Sequence, residues 1–203
     1  MQVVALPSPV AVKLSDYSGD KFSDAAYLAF CQANPNLRIE RTAEGEILIG
    51  PPAGSESSYR NSKVPAQLDR WAEEDNRGKV FDSSSQFMLD DGSALSPDAA
   101  WVSNASLRSV PREKRKEFLP LCPEFVVEVK SPSDRLKKAK EKMEQWIANG
   151  AQLAWLIDGD AQSVYVYRKG HAPKIHRGIA KLAGDGPVAG FLLQLSAIWK
   201  GLS

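Results

Sequence analysis

Asp98, Glu128 and Lys130 have residue types and spacing suited to holding a hard cation and a water beside it. Glu128 and Lys130 stand two apart in "EFVVEVK". Side chains two apart on a strand share a face, so these two point one way while Phe125, Val127 and Val129 point the other. Such an apolar run reads as a strand covered on both faces. Burying charges there costs several kcal/mol per ion unless they pair or bind something. Asp98 follows Pro97 in "LSPDAAWV" and precedes another short apolar run, which places it at a strand edge. Two carboxylates with backbone and water oxygens form an oxygen site that suits Mg²⁺ or Mn²⁺ rather than zinc. A lysine is a poor ligand for such ions. It is suited to lowering the pKa of an attacking water or to neutralising a charge-rich transition state. The plainer readings are a Glu128–Lys130 ion pair and an Asp98 that only forms a turn after proline. Glu124, farther back on the same side, reads as a surface residue at the start of the strand.

These residues need elements to position them. "FSDAAYLAFCQANP" has helical spacing, with Ser23 as its cap and Pro35 at its end. "LRIER" and "EILIG" flank the turn "TAEG" and predict a hairpin. "SESSYRNSKVPAQLDRWAEEDNRG" predicts a helix closed by Gly78, with Pro65 starting or kinking it. "KVF", "QFML" and "AAWVS" are short and β-like, and "LRSVPREKRKEFLPLCP" is polar helix or loop. After "EFVVEVK" comes the clearest helix, "SDRLKKAKEKMEQWIANG". Its stripe is Leu136, Ala139, Met143 and Trp146 or Ile147, its cap Ser133 or Asp134, and its stop Gly150. "AQLAWLID" and "SVYVYR" are further strands, and "GPVAGFLLQLSAIW" closes the core. Strand, helix and strand over 124–158 form a β-α-β unit whose two apolar strands suit a parallel pair. The expected class is α/β (α+β), a central mixed sheet flanked by helices. Residues 1–20 read as an N-terminal arm and 21–203 as a single domain.

Composition excludes several classes. A net charge of +1 does not mark a nucleic-acid binder by bulk charge, so polyanion contact must come from local patches. Two patches qualify: Arg108, Arg112, Lys114, Arg115 and Lys116, and the helical Arg135, Lys137, Lys138, Lys140 and Lys142. No apolar run approaches the roughly 18 residues that span a bilayer. Two unclustered cysteines, Cys31 and Cys122, and no visible secretion signal suit a reducing cytoplasm. His171 and His176 read as surface residues, and the five tryptophans as core.

Pro97-Asp98 followed by Glu128-Val129-Lys130 resembles the PD-(D/E)xK nuclease superfamily. Within it the chain looks like the Uma-two family of restriction endonucleases, on "RIERTAEGEILIGPPAGSESSYRNS", "FDSSSQFMLDDGSALSPDAAWVS", "LCPEFVVEVKSPSDRLKKAKEKMEQWIANGAQLAWLID" and "VYVYR". The resemblance implies a restriction-endonuclease-like fold and Mg²⁺-dependent (or Mn²⁺-dependent) hydrolysis of phosphodiester bonds in DNA. Asp98 and Glu128 would bind the metal, with the Val129 carbonyl third, and Lys130 would position or activate the water. An acid of the early hairpin would join them; Glu40 matches best and Glu46 second. Lys138 and Lys142, four apart on the basic helix, would meet the phosphate backbone. A homodimer is expected, since a twofold assembly makes two strand cuts readily. The rival expectation is a nucleic-acid-binding or interaction module on the same fold without useful turnover.

Overall fold

Two strands made almost entirely of apolar residues set the centre of the molecule. The computed structural model describes residues 10–12 and 23–203. In chain order the first elements are β1 (Val10–Val12), α1 (Asp24–Ala33), β2 (Arg38–Arg41), β3 (Ile47–Gly50), α2 (Ser55–Asp75) and β4 (Gly78–Asp82). Next come β5 (Phe87–Met88), β6 (Ala94–Leu95), β7 (Ala99–Ser103), α3 (Asn104–Ser109), β8 (Phe125–Lys130) and α4 (Leu136–Ala148). The last are β9 (Leu153–Asp158), β10 (Ser163–Arg168), β11 (His171–Arg177), β12 (Lys181–Ala183), β13 (Leu192–Gln194) and α5 (Ser196–Lys200).

The central sheet runs β11-β10-β9-β8-β7-β4 and is mixed. β8 and β9 are its parallel pair, in register Phe125 with Leu153 through Lys130 with Asp158, and α4 makes the crossover. Helices cover both faces, as the apolarity of β8 and β9 requires. On one face Val64, Leu68 and Ala72 of α2 pack with Trp101, Phe125, Val127 and Trp155. On the other, Met143 and Trp146 of α4 pack with Val126, Ala154 and Leu156. The apolar stripe of α4 does what its periodicity predicts.

A second sheet, β1-β3-β2-β6-β5, lies beside the first. It contains the predicted hairpin, with Arg38 opposite Gly50 and Arg41 opposite Ile47. Tyr27 of α1 packs on it with Ile39, Ile47 and Ala94. β12 and β13 form a separate hairpin. Of the expected N-terminal arm, all but Val10–Val12, which pairs with β3, lies outside the described residues.

Local chemistry moves several boundaries. Ser23 caps α1 as expected, accepting from the Ala26 amide. α2 passes through Pro65 and ends at Asn76, which adopts a left-handed φ of 58°. Gly78 is therefore not the stop. It opens β4, where a Cβ would come within 2.4 Å of the Trp101 ring. α4 has no side-chain cap, because Asp134 turns back to accept from the Ser131 amide. Glu124 is a further correction. It accepts from the Ser103 amide and from the hydroxyls of Ser103 and Ser106, and so secures the start of α3.

Candidate functional site

The site forms where the two sheets meet, and each wall follows from strand alternation. On β2, Arg38 and Glu40 share a face. That face lies against the link from β6 to β7, where the Ser96 amide donates to Glu40 Oε1 at 2.9 Å. Asp98 comes two residues later, and Arg38 approaches it at 3.7 Å. β7 pairs with β8 antiparallel, Ala99 opposite Val127, so the next step of the register sets Asp98 opposite Glu128. One continuous surface thus gathers Glu40, Asp98 and Glu128.

Each acid is held firmly. Asp98 is 5% exposed. Its Oδ1 accepts from Asn61 Nδ2 at 2.8 Å, and its Oδ2 accepts from the Val129 amide at 2.7 Å. A strand residue aims its N–H and C=O to the same side, so the Val129 carbonyl also looks toward Asp98. Glu128 Oε1 accepts from Trp146 Nε1 at 3.1 Å. The same oxygen lies 2.9 Å from Lys142 Nζ. Lys142 also donates to Glu40 Oε1 and to the Ser96 carbonyl, each at 3.0 Å.

The electrostatics follow from burial. Burial pushes the Asp98 carboxyl up, opposed by the Val129 amide, Arg38 and Lys142. Glu128 is pushed up to about 7, first by burial and then by the nearby Asp98 and Glu40, against the pull of Lys142. Burial also acts upward on Glu40, but Lys142, the Ser96 amide and Arg38 outweigh it and hold that carboxyl below its usual range. Burial alone would lower Lys142; Glu128 and Glu40 raise it.

One expectation about the lysines changes, and one of the plainer readings falls away. Lys142 does not share an outward face with Lys138. Lys138 is exposed, whereas Lys142 turns inward onto two carboxylates. The Glu128–Lys130 ion pair is not formed either. Lys130 Nζ lies 3.8 Å from Asp158, its register partner, and donates to the Ser131 carbonyl at 3.2 Å. Asn61, given no role by the sequence, orients Asp98. Its own Oδ1 is buried without a hydrogen-bond partner. Of the two hairpin acids, Glu40 is the one that reaches Lys142. An open cleft of about 760 Å³ gives access, with Arg38, Asn61, Pro65, Phe81 and Asp98 in its walls.

The donor set fits a hard divalent cation. Glu40 and Glu128 each accept through Oε1 and keep Oε2 open toward the described residues. Among the described residues, no group of three or more His, Cys, Asp or Glu is arranged to hold a metal on acids alone. Backbone oxygen would therefore complete such a site, as the orientation of the Val129 carbonyl allows.

The sequence profile of a family described as "Putative restriction endonuclease", Uma2, matches residues 24–190. The chain belongs to the Uma2 family. A similar solved structure is "a putative nuclease belonging to DUF820 from Anabaena variabilis ATCC 29413". It is 21% identical, with a TM-score of 0.68, over 80% of this chain and 89% of that one. At that identity the likeness speaks for the fold, a nuclease-like mixed sheet flanked by helices. No curated protein matches the chain. The Uma2 match spans every acid of the site, from Glu40 to Glu128, and Lys142 with them. Among the described residues no helix is long and apolar enough to cross a membrane.

Proposed function

We propose that this Uma2 protein hydrolyses phosphodiester bonds of DNA at a PD-(D/E)xK site that uses Mg²⁺ or Mn²⁺. One observation carries the reading: Glu40, Asp98 and Glu128 converge at the open end of β8, beside a cleft that reaches Asp98. Asp98, Glu128 and the Val129 carbonyl would hold the cation. When bound, it would polarise the phosphoryl oxygens and acidify a water.

The remaining work belongs to side chains. Asn61 and the Val129 amide fix Asp98, so its carboxylate needs no reorganisation when charge develops nearby. Trp146 does the same for Glu128. Lys130 stands at the strand end on a flexible stem and is lightly held by Asp158. Rotation brings its ammonium to the attacking water or to a phosphate oxygen. Glu40 contributes charge from the second sheet. Lys138, exposed on α4, remains the proposed contact to the phosphate backbone. A homodimer in the cytoplasm completes the reading.

The test uses purified protein with Mg²⁺ or Mn²⁺ on plasmid and single-stranded DNA. Asp98→Ala and Lys130→Ala are each expected to lower cleavage by roughly a hundredfold or more. Cleavage at the wild-type rate in both variants overturns the assignment. The rival, a binding module without turnover, is favoured by one feature: Lys142 already neutralises two of the acids. It predicts DNA binding with no cut product under any divalent ion.

A further inference from the structure

Lys142 is held by three oxygens of the site itself. An ammonium has three N–H donors and no acceptor. Here the ammonium donates to Glu40 Oε1 and to the Ser96 carbonyl, each at 3.0 Å, and forms an ion pair with Glu128 Oε1 at 2.9 Å. Two carboxylates and a backbone carbonyl are also the kind of donor set a hard divalent cation takes. Those three oxygens come from separate parts of the fold: Glu40 from the second sheet, Ser96 from the link between β6 and β7, and Glu128 from the central sheet.

The position of Lys142 on α4 turns it toward the acids. Ala139, Lys142, Met143 and Trp146 follow the i, i+3, i+4, i+7 pattern of one helix face. Met143 and Trp146 are fully buried on that face, and Trp146 bonds the same Glu128 oxygen. The ammonium therefore enters the acid cluster from the buried side of α4, with its side chain 23% exposed. Lys130, by contrast, touches none of the three acids among the described contacts.

We infer that Lys142 is a tethered counter-cation of the acid cluster: it holds Glu40 and Glu128 in place without metal and competes with a divalent ion for Glu128. It is a positioning residue, distinct from the lysine of the ExK motif. Two ligands that share one carboxylate oppose each other reciprocally. The metal-free protein is tied together across its two sheets by this side chain. An arriving divalent ion, held through the other oxygen of Glu128, opposes this ammonium across the same carboxylate. This inference rests on the proposed metal site.

The experiment compares wild type with Lys142→Met by calorimetric titration with Mn²⁺ and by thermal melting without metal. Lys142→Met should melt lower when metal-free and bind Mn²⁺ about tenfold more tightly or better, within the range of ordinary coupling between ligands. In wild type labelled on lysine, the Lys142 ε-carbon resonance should move as Mg²⁺ saturates the site. This arm needs no variant and stands if Lys142→Met fails to fold. Equal or weaker Mn²⁺ binding by a folded Lys142→Met protein overturns the inference, as does a Lys142 resonance that Mg²⁺ leaves unmoved. In either case Mn²⁺ binding that Asp98→Ala abolishes leaves the metal site standing. Absence of Mn²⁺ binding at millimolar concentration in both proteins removes the metal site and the inference together.

Discussion

Glu40 and Glu128 share one ammonium, yet their carboxyls move in opposite directions. Glu40 also receives the Ser96 amide and the field of Arg38, and is held down. Glu128 is buried with Asp98 and Glu40 as neighbours, and rises to about 7 from an ordinary value of 4.5. A carboxyl raised in the folded state favours folding while it is protonated. That contribution is full below the unfolded value and is lost as pH rises through the folded one. Metal-free protein should lose stability from this group between pH 4.5 and about 7. Denaturant titrations across that window should show a shallower decline in Glu128→Gln than in wild type; an equal or steeper one contradicts the assignment. At this scale the sequence displayed Asp98 and Glu128 clearly, because charges beside apolar strands are conspicuous, whereas Glu40, in the charged strand "RIER", came only through the family resemblance. Lys142 was missed as a partner of these acids, and the signal that could have found it is its place beside Ala139, Met143 and Trp146 in the apolar stripe of α4. Its place in a run of lysines disguises it. Asn61 gave no signal, since a polar residue on an amphipathic helix has many ordinary uses.

Elements position these groups, and their ends were harder to read than their existence. The periodicity of α4 and the apolarity of β8 and β9 dictate a helix crossing between parallel strands, and the register bears this out. The stop of α2 is different. Gly78 looks like a helix terminator, but Asn76 takes the left-handed conformation and Gly78 is reserved for close packing. A Cβ at Gly78 would meet the Trp101 ring at 2.4 Å and the Val102 carbonyl oxygen at 2.5 Å. Gly78→Ala must therefore push β4 away from β7. Overpacking of this kind costs about 1–3 kcal/mol. Equilibrium unfolding of the variant measures it, and an unchanged midpoint would show that the sheet edge yields freely. The cap of α4 was misplaced for a related reason. Asp134 has the right chemistry for a cap, and the Ser131 amide takes it first.

For the whole molecule, sequence patterning reached the central sheet and the β2–β3 hairpin but not the rest of the second sheet. β5 and β6 are two residues each, too short to show alternation. Their pairing depends on partners far away in the chain, as where Arg41 meets Ala94. The site depends on that distant assembly, since Glu40 is carried there by β2. Arg60 supplies a second long-range tie. It is buried on α2 and pairs with Glu56 at 2.9 Å and with Asp160, in the turn after β9, at 2.7 Å. Glu56 in turn accepts from the Leu202 amide beyond α5. Arg60→Ala should destabilise the protein by about 1–3 kcal/mol, with Lys a poor replacement because it lacks the planar fork. Thermal melting of the two variants tests this, and a Lys variant as stable as wild type would show that charge alone suffices.

The bond from the Val129 amide to Asp98 has a consequence for how any variant at position 98 is interpreted. The ladder between β7 and β8 stops at Ala99 and Val127, and the Asp98 carboxylate supplies the next rung in place of backbone. Removing that side chain frays the strand pair as well as stripping the acid. Asn at 98 keeps a carbonyl oxygen for the rung, discards the charge and turns the contact with Asn61 from acceptor to donor. The difference between Asn and Ala there separates what the sheet requires from what the chemistry requires.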